Sequence, residues 1–206
     1  MPSTDLSSRL AFVMELDRLK GVLRQSLLYD SSRAENSAEH SWHLATAVVA
    51  CADLANEPFD LLRAVKMALV HDVVEIDCGD IFIYAYIGNP AAAAEKYAQE
   101  REAAERIFGL LPAELGGELR DLWEAYERRD TPEARFVYAL DRLLPMIANI
   151  QSGGHAWKKH GIVLSQVLKH NRKIEEGSII LWEYAKGQID EAVRAGRLGD
   201  DKKSEE

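Results

Sequence analysis

The apolar residues of this 206-residue chain recur three and four positions apart along most of its length. This spacing places them on one side of an α-helix, whereas a half-buried strand needs an apolar residue at every second position. Alternating patterns longer than a few residues are absent. The sequence therefore predicts an all-α helical bundle. With 47% apolar residues, we expect one domain over residues 1–199 and a disordered charged tail at 200–206.

Helix boundaries follow from capping residues, prolines and glycines. Asn36 with Glu39 three residues later is typical of a capping box. Pro58 and Pro132 are placed in the first turns of two other helices, the second of which is capped by Thr131. The predicted helices span about residues 6–23, 37–54, 59–75, 91–108, 119–129, 133–150, 162–173 and 179–195, with loops at 24–35 and 81–90.

Charge and cysteine content exclude several classes of protein. The chain has 25 lysines and arginines against 34 acidic residues, a net charge of −9, which repels a phosphate backbone. Its two cysteines, Cys51 and Cys78, form no CxxC pair, so neither a disulfide framework nor a cysteine zinc site is indicated. No signal peptide or membrane-spanning run is visible. We therefore expect a cytoplasmic protein that binds neither nucleic acid nor membrane.

A possible metal-binding string is His71-Asp72-Val73-Val74-Glu75, at the end of an apolar helix. Adjacent His and Asp side chains project about 100° apart on a helix, so both can reach one ion, and Glu75 lies one turn beyond His71. Histidines with acidic neighbours are also common at ordinary helix ends. The string by itself therefore does not establish a metal site.

Three other residues add to this signal. His40 and His43 lie three apart near the start of a helix, and Asp141 follows an apolar helical stretch. Each residue alone fits a structural imidazole or an ion-paired carboxylate. Together, histidine and aspartate side chains from three helices supply the mixed nitrogen and oxygen donors that suit Mn²⁺, Co²⁺, Fe²⁺, Zn²⁺ or Mg²⁺.

The order H…HD…D, with the strings around it, resembles the HD-domain 5′-nucleotidases of the HD metal-dependent phosphohydrolase superfamily. The resemblance rests on RxENxxEHS at 33–41, HDxxExxxGD at 71–80 and LWEAYERRDTPEARFVYALDRL at 122–143. It implies a single HD-domain helical bundle. It also implies metal-dependent hydrolysis of (deoxy)nucleoside 5′-monophosphates to a nucleoside and phosphate, and it favours a homodimer.

The resemblance assigns roles to individual residues. A single divalent ion is implied, bound by His40, His71, Asp72 and Asp141, with Glu75 as the general acid/base. His43 is then an additional ligand or a structural residue. The ion would lower the pKa of a water and offset negative charge on the phosphate.

The same resemblance places three residues against the substrate. Asp80 is expected to accept a hydrogen bond from the sugar 3′-hydroxyl, and either Arg24 or Arg33 to bind the phosphate. Relatives have a tryptophan after the arginine, whereas this chain has Gln25. Selection for deoxyribose over ribose therefore stays open, and no feature predicts a base preference.

Two other functions fit parts of the pattern. An HD-type phosphodiesterase or pyrophosphohydrolase would use the same ion, but no histidine that could hold a second metal occurs between Asp72 and Asp141. A non-catalytic helical protein that binds a nucleotide or metal would not need Glu75.

The remaining histidines and the tryptophans are expected to have structural roles. His155, His160 and His170 are expected at helix ends or facing solvent. The tryptophans, which lie in separate helices, are interpreted as core or interface anchors; they are Trp42, Trp123, Trp157 and Trp182.

Overall fold

The computed structural model describes residues 4–82, 84 and 89–201. Helices dominate, so the predicted all-α fold is confirmed. The helices are α1 (Thr4–Leu16), α2 (Ser37–Ala50), α3 (Leu61–Val70), α4 (Glu75–Cys78), α5 (Pro90–Phe108), α6 (Ala113–Arg128), α7 (Pro132–Gln151), α8 (His155–His160), α9 (Leu164–Asn171), α10 (Ile174–Gly177) and α11 (Ile179–Arg194). Among these helices, none has both the length and the apolar character needed to cross a bilayer.

The predicted charged tail is only partly described. Residues 202–206 lie outside the described part of the chain. Before them, the Asp201 carboxylate accepts a hydrogen bond of 3.1 Å from the backbone N–H of Ser165, at the start of α9.

A short hairpin replaces part of the first predicted helix and the loop after it. Helix α1 ends at Leu16, and a 3₁₀ turn over Asp17–Gly21 leads into strand β1 (Leu23–Leu27). Strand β1 pairs antiparallel, with an irregular register, with β2 (Ala34–Asn36). The prediction of a helix to residue 23 and a loop at 24–35 was therefore wrong, because strands of five and three residues contain too few alternations to be recognised.

The predicted helix at 59–75 is interrupted at the histidine–aspartate pair. Helix α3 ends at Val70 and α4 begins at Glu75. Between them the chain tightens into turns, in which the backbone N–H of Val73 donates to the Val70 carbonyl at 3.2 Å. Asp60 caps α3 by accepting from the N–H of Arg63 at 3.0 Å. The placement of Pro58 in the first turn was therefore wrong, since the aspartate cap sets the start of the helix.

The two other predicted caps are confirmed. Asn36 and Glu39 form a capping box at the start of α2, and the Thr131 hydroxyl accepts from the N–H of Ala134 at the start of α7. Helix α7 runs through the middle of the bundle and packs against α2, α3, α6, α10 and α11. Most of its side chains are buried, Asp141 among them. This central helix thus brings a carboxylate into the interior.

Candidate metal centre and active site

The predicted site residues other than Arg33 converge at one cavity of about 370 Å³. Its walls come from β1, the turn after α3, and helices α4 to α9. His71, Asp72, Glu75 and Asp141 line it, and His40 lies fully buried behind them. Residues far apart in the sequence therefore form one site.

Four side chains form a candidate site for a metal ion, which we call the metal-ligand set: His40, His71, Asp72 and Asp141. His40 Nε2 lies 2.8 Å from Asp141 Oδ1, and His71 Nε2 lies 3.1 Å from Asp72 Oδ1 and 3.8 Å from Asp141 Oδ1. Donor atoms of His40, His71 and Asp72 all lie within 4.8 Å of one another. Helices α2 and α7 and the turn after α3 supply these atoms.

The two imidazoles are oriented as metal-binding histidines are. His71 Nδ1 lies 2.9 Å from the Ala68 carbonyl oxygen, which only an N–H can approach, so Nε2 carries the lone pair of the neutral ring. That Nε2 is buried and has no hydrogen-bond partner with acceptable geometry. His40 Nδ1 faces the Glu35 carboxylate at 3.5 Å. Both rings therefore direct Nε2 toward the carboxylates; His71 is also held by the hydrogen bond on its Nδ1, whereas the buried His40 Nδ1 forms no hydrogen bond.

The electrostatics of the metal-ligand set favour a cation. Burial disfavours the charged imidazole, yet the Asp72 carboxylate raises the pKa of His71 to about 10. Burial likewise opposes ionisation of Asp72, but His71 and then Arg24 hold the pKa of Asp72 well below its usual range. The pocket thus attracts positive charge at the nitrogen where an ion would compete with a proton. Two imidazole nitrogens and two carboxylates fit a divalent metal ion.

Each aspartate of the metal-ligand set also accepts hydrogen bonds on its other oxygen. Asp72 Oδ2 accepts from Arg24 Nη1 at 2.6 Å. Asp141 Oδ2 accepts from the Tyr126 hydroxyl at 2.6 Å and from the Arg142 guanidinium. These contacts hold both carboxylates in place, so the donor set is preorganised.

Glu75 lies beside this set without belonging to it. It is the first residue of α4, only 8% exposed, and its Oε2 accepts a 2.5 Å hydrogen bond from the Ser37 hydroxyl. Burial, followed by the charge of Asp72, raises the pKa of Glu75 well above its usual range. A buried carboxyl with a raised pKa next to a metal site suits proton transfer near neutral pH.

The structure separates the two candidate phosphate-binding arginines. The Arg24 side chain, in β1, is 9% exposed and lines the cavity together with Asp80. Arg33 is 52% exposed, makes two hydrogen bonds to Glu39 at 2.6 and 2.8 Å, and does not line the cavity. Burial raises the pKa of Asp80, against the opposing charge of Arg24. The hairpin therefore brings Arg24, and not Arg33, to the metal-ligand set.

Two further predictions concern histidines. His43 packs against Tyr29 and Trp42, with ring centroids 6.0 and 6.3 Å apart, and is not in the metal-ligand group. His155 and His160 are exposed, as expected. His170 was predicted to face solvent or to lie at a helix end, and the first alternative is wrong, because it lies half-buried in the last turn of α9 on the cavity wall.

His170 contacts the arginine that follows Asp141. Its Nε2 accepts a hydrogen bond of 3.1 Å from Arg142 Nη1, since a guanidinium only donates. Burial, followed by the Arg142 charge, lowers the pKa of His170 to about 3. The imidazole is therefore neutral at physiological pH.

Sequence reasoning also missed several cavity-lining residues of α5, α6 and α7. One signal was available, because Tyr138 and Arg142 lie four apart on one face of α7 and flank Asp141. The others carry no comparable signal in the sequence. The missed residues are Lys96, Glu100, Tyr126, Glu127, Arg129, Tyr138 and Arg142.

The tryptophans divide between core and surface. Trp123, Trp157 and Trp182 are buried, as predicted for core anchors, whereas Trp42 is 67% exposed. Trp42 therefore remains a candidate interface residue.

A family model and several known proteins match large parts of this chain. The family model described as HD domain matches residues 16–182. The human protein named 5′-deoxynucleotidase HDDC2 is 37% identical over 137 residues, which cover 66% of this chain and 63% of that protein. A Schizosaccharomyces pombe protein, 5′-deoxynucleotidase hdd1, is 33% identical over 141 residues, covering 66% of this chain and 67% of that protein. The chain thus spans just under two thirds of the human relative's length.

A solved structure is similar over almost the whole chain. It is described as a predicted metal-dependent phosphohydrolase from Magnetospirillum magnetotacticum, with a TM-score of 0.89 and 46% identity, and the match covers 96% of this chain and 100% of that one. The family match, these relatives and the metal-ligand set lead to one conclusion: the chain belongs to the HD domain family.

Proposed function

We propose that this protein is a metal-dependent phosphomonoesterase that hydrolyses (deoxy)nucleoside 5′-monophosphates to a nucleoside and phosphate. The observation that carries the proposal is the position of Glu75, which lines the same cavity as the metal-ligand set, is held by Ser37, and lies outside the group of His40, His71 and Asp72 that could hold a metal ion. A site that only binds a metal or nucleotide needs the ligands but no additional acid/base. Relatives named 5′-deoxynucleotidases support this substrate class.

The metal-ligand set would hold the ion. When bound there, a divalent ion supplies Lewis-acid chemistry, which lowers the pKa of water and offsets charge on a phosphate. Mn²⁺, Co²⁺, Mg²⁺, Fe²⁺ and Zn²⁺ all accept two imidazoles and two carboxylates, so we propose that availability decides among them.

Glu75 moves the proton. In the proposed reaction, a water attacks phosphorus, the bond from phosphorus to the 5′-oxygen breaks, and the nucleoside leaves. Glu75 takes a proton from the attacking water and delivers one to the departing 5′-oxygen. Burial raises the pKa of Glu75, and a carboxyl with a raised pKa can hold and release a proton closer to the working pH than an ordinary carboxyl can.

Arg24 and Asp80 position the substrate. Arg24 donates one hydrogen bond to Asp72, while its buried Nε has no hydrogen-bond partner. We assign this remaining donor capacity to the phosphate oxygens, because a guanidinium matches two oxygens at once. Asp80 would accept a hydrogen bond from the sugar 3′-hydroxyl.

Phosphate release tests the proposal. Metal-stripped protein would be assayed with Mn²⁺, Co²⁺, Mg²⁺ or Zn²⁺ on ribo- and deoxyribonucleoside 5′-monophosphates. We expect metal-dependent release. Comparing ribo- with deoxyribonucleotides shows whether Gln25, in the place of a tryptophan, allows ribose as well as deoxyribose. Release with none of these ions contradicts the proposal; cyclic and pyrophosphate-containing nucleotides in the same assay then identify another phosphohydrolase activity.

We also propose that the protein forms a homodimer. Tyr29, Trp42, Ile180 and Tyr184 are 46%, 67%, 59% and 50% exposed, and the Tyr29 and Trp42 rings both lie against His43. Large exposed apolar side chains of this kind suit a subunit interface. Light scattering after size-exclusion chromatography should give twice the mass of the 23.1 kDa chain. Trp42→Lys should shift the protein toward the monomer, and a wild-type monomer would contradict the proposal.

A further inference from the structure

The cavity has an outer end, defined here by Glu127, Arg129 and Tyr138, where the side chains of two oppositely charged residues form no hydrogen bond among the described residues. Glu127 and Arg129 both line the cavity at the end of α6. In the described part of the chain, the Glu127 carboxylate accepts no hydrogen bond, and neither residue has an ion-pair partner within 4 Å. Glu127 thus interacts with the charges of Lys96 and Arg129 without a hydrogen bond to either, among the residues that the structure describes.

The neighbouring charged residues of the same helix differ. Arg128 Nε donates to Asp130 at 2.9 Å, and its Nη1 lies 3.7 Å from Glu124. The Arg128 and Glu124 side chains are 53% and 30% exposed. Arg128, which faces outward, thus forms ion pairs with its neighbours, whereas Glu127 and Arg129, which face the cavity, form none within 4 Å among the described residues.

The backbone of Arg129 is the second unusual feature of the outer end. It is left-handed, with φ 57° and ψ 31°, a conformation that favours glycine. Ser31 is the other non-glycine residue with positive φ in the described ranges. The guanidinium carbon of Arg129 lies 4.7 Å from the centroid of the Tyr138 ring. Arg129 is the C-cap of α6, and helices commonly end on a left-handed residue that is usually glycine, so an arginine side chain at this position is less common.

The outer end is connected to the metal-ligand set through aromatic rings. The His71 and Tyr126 centroids are 5.0 Å apart, and those of Tyr126 and Tyr138 are 5.9 Å apart. Arg129 lies over the far ring of this series. The rings separate the outer end from the metal-ligand set, much as a sugar separates the base of a nucleotide from its phosphate.

We propose that Glu127 and Arg129 contact the base of the bound nucleotide and select guanine. This inference rests on the proposed function, because it assigns the base of a nucleoside monophosphate to the outer end. Guanine presents two adjacent donors, N1–H and the N2 amino group, which a carboxylate can accept together. Its O6 and N7 accept from a guanidinium. Adenine and cytosine offer a single amino donor group and thymine a single imide N–H, so they match the pair less well.

The test compares kcat/KM for dGMP, dAMP, dCMP and TMP. Wild type should prefer dGMP by about tenfold or more, and Glu127→Gln and Arg129→Gly should lower kcat/KM for dGMP by about 10- to 100-fold. The other three substrates should change by less than about threefold. Arg128→Met, which alters the outward-facing arginine, is the matched control and should leave all four values unchanged. An equal loss on all four bases, or no loss, overturns the inference.

A binding measurement separates this inference from the proposed function. Equilibrium dialysis of deoxyguanosine and deoxyadenosine needs no turnover. Tighter binding of deoxyguanosine, lost in Arg129→Gly, supports the inference even if wild type releases no phosphate from any nucleotide. Equal binding of the two nucleosides overturns it. Because glycine favours the left-handed conformation, Arg129→Gly is expected to fold. This variant therefore tests the inference even if Glu127→Gln does not fold.

Discussion

The charged side chains at the two ends of the cavity differ in their hydrogen bonding. At the metal-ligand set, Arg24 donates to Asp72, Arg142 and Tyr126 donate to Asp141, and Ser37 donates to Glu75. At the outer end, Glu127 and Arg129 have no such partners among the residues that the structure describes. The charged groups at the metal-ligand set are therefore held in fixed orientations, whereas Glu127 and Arg129 can still form hydrogen bonds with a ligand.

This difference follows from what each end has to do. An active site gains rate when its groups are already oriented, because little reorganisation then accompanies the reaction. A recognition site needs unsatisfied donors and acceptors, since groups already bonded to one another cannot discriminate between ligands.

The largest effect is expected from Asp72→Ala, which breaks the metal-ligand set. The variant loses one ligand and leaves the buried Arg24 guanidinium without its 2.6 Å partner. We expect loss of the ion, a fall in turnover of about 10³-fold or more, and a loss of unfolding free energy of about 3 kcal/mol. Elemental analysis, phosphate release and urea unfolding measure these changes. Undiminished metal content would remove Asp72 from the ligand set.

Glu75→Gln tests whether the metal-ligand set works without its neighbouring acid/base. The amide keeps the shape of the side chain and still accepts a hydrogen bond from Ser37, but it cannot transfer the proton. We expect turnover to fall about 10²- to 10⁴-fold while elemental analysis finds the wild-type metal content. Unchanged turnover would exclude Glu75 from the mechanism.

Paired variants of Arg24 and Arg33 sharpen the assignment of the phosphate-binding arginine. Arg24→Met removes the cavity-lining guanidinium, and we expect kcat/KM to fall about 100-fold. Arg33→Met removes an exposed partner of Glu39 and should change kcat/KM by less than about threefold. The reverse order of effects would show that Arg33 reaches the substrate.

The smallest effect is expected for His170, which contacts Arg142 next to the metal-ligand set. Arg142, Asp141 and the Tyr84 ring face its imidazole. Because the folded protein lowers its pKa from 6.5 to about 3, the unfolded chain takes up a proton below pH 6.5 that the folded protein does not. His170 should therefore reduce the unfolding free energy by about 1 kcal/mol as the pH falls from 6.5 to 5.5.

Urea unfolding at the two pH values measures this effect. His170→Gln should lose that part of the pH dependence, whereas His155→Gln, which alters an exposed histidine, should retain it. Identical pH dependence in wild type and His170→Gln would mean that His170 titrates alike in the folded and unfolded states.

Local hydrogen bonds explain which helix starts could be predicted. The capping box of Asn36 and Glu39 and the cap at Thr131 each join residues three positions apart. The interruption at His71 and the pairing of β1 with β2 depend instead on packing against the rest of the bundle. For this reason the apolar spacing alone predicted one continuous helix at 59–75 and a loop at 24–35.

Local sequence patterns predicted the helical class, these caps and the candidate metal ligands, because periodicity, capping and the HD strings each involve residues that are close in the chain. Folding was needed to show that Arg24 and not Arg33 lines the cavity, and that Glu127 and Arg129 line it while Arg128 does not. Even the 2.8 Å contact between His40 and Asp141 joins residues 101 positions apart. The burial and pairing of such charges depend on how distant helices pack, which no local pattern specifies.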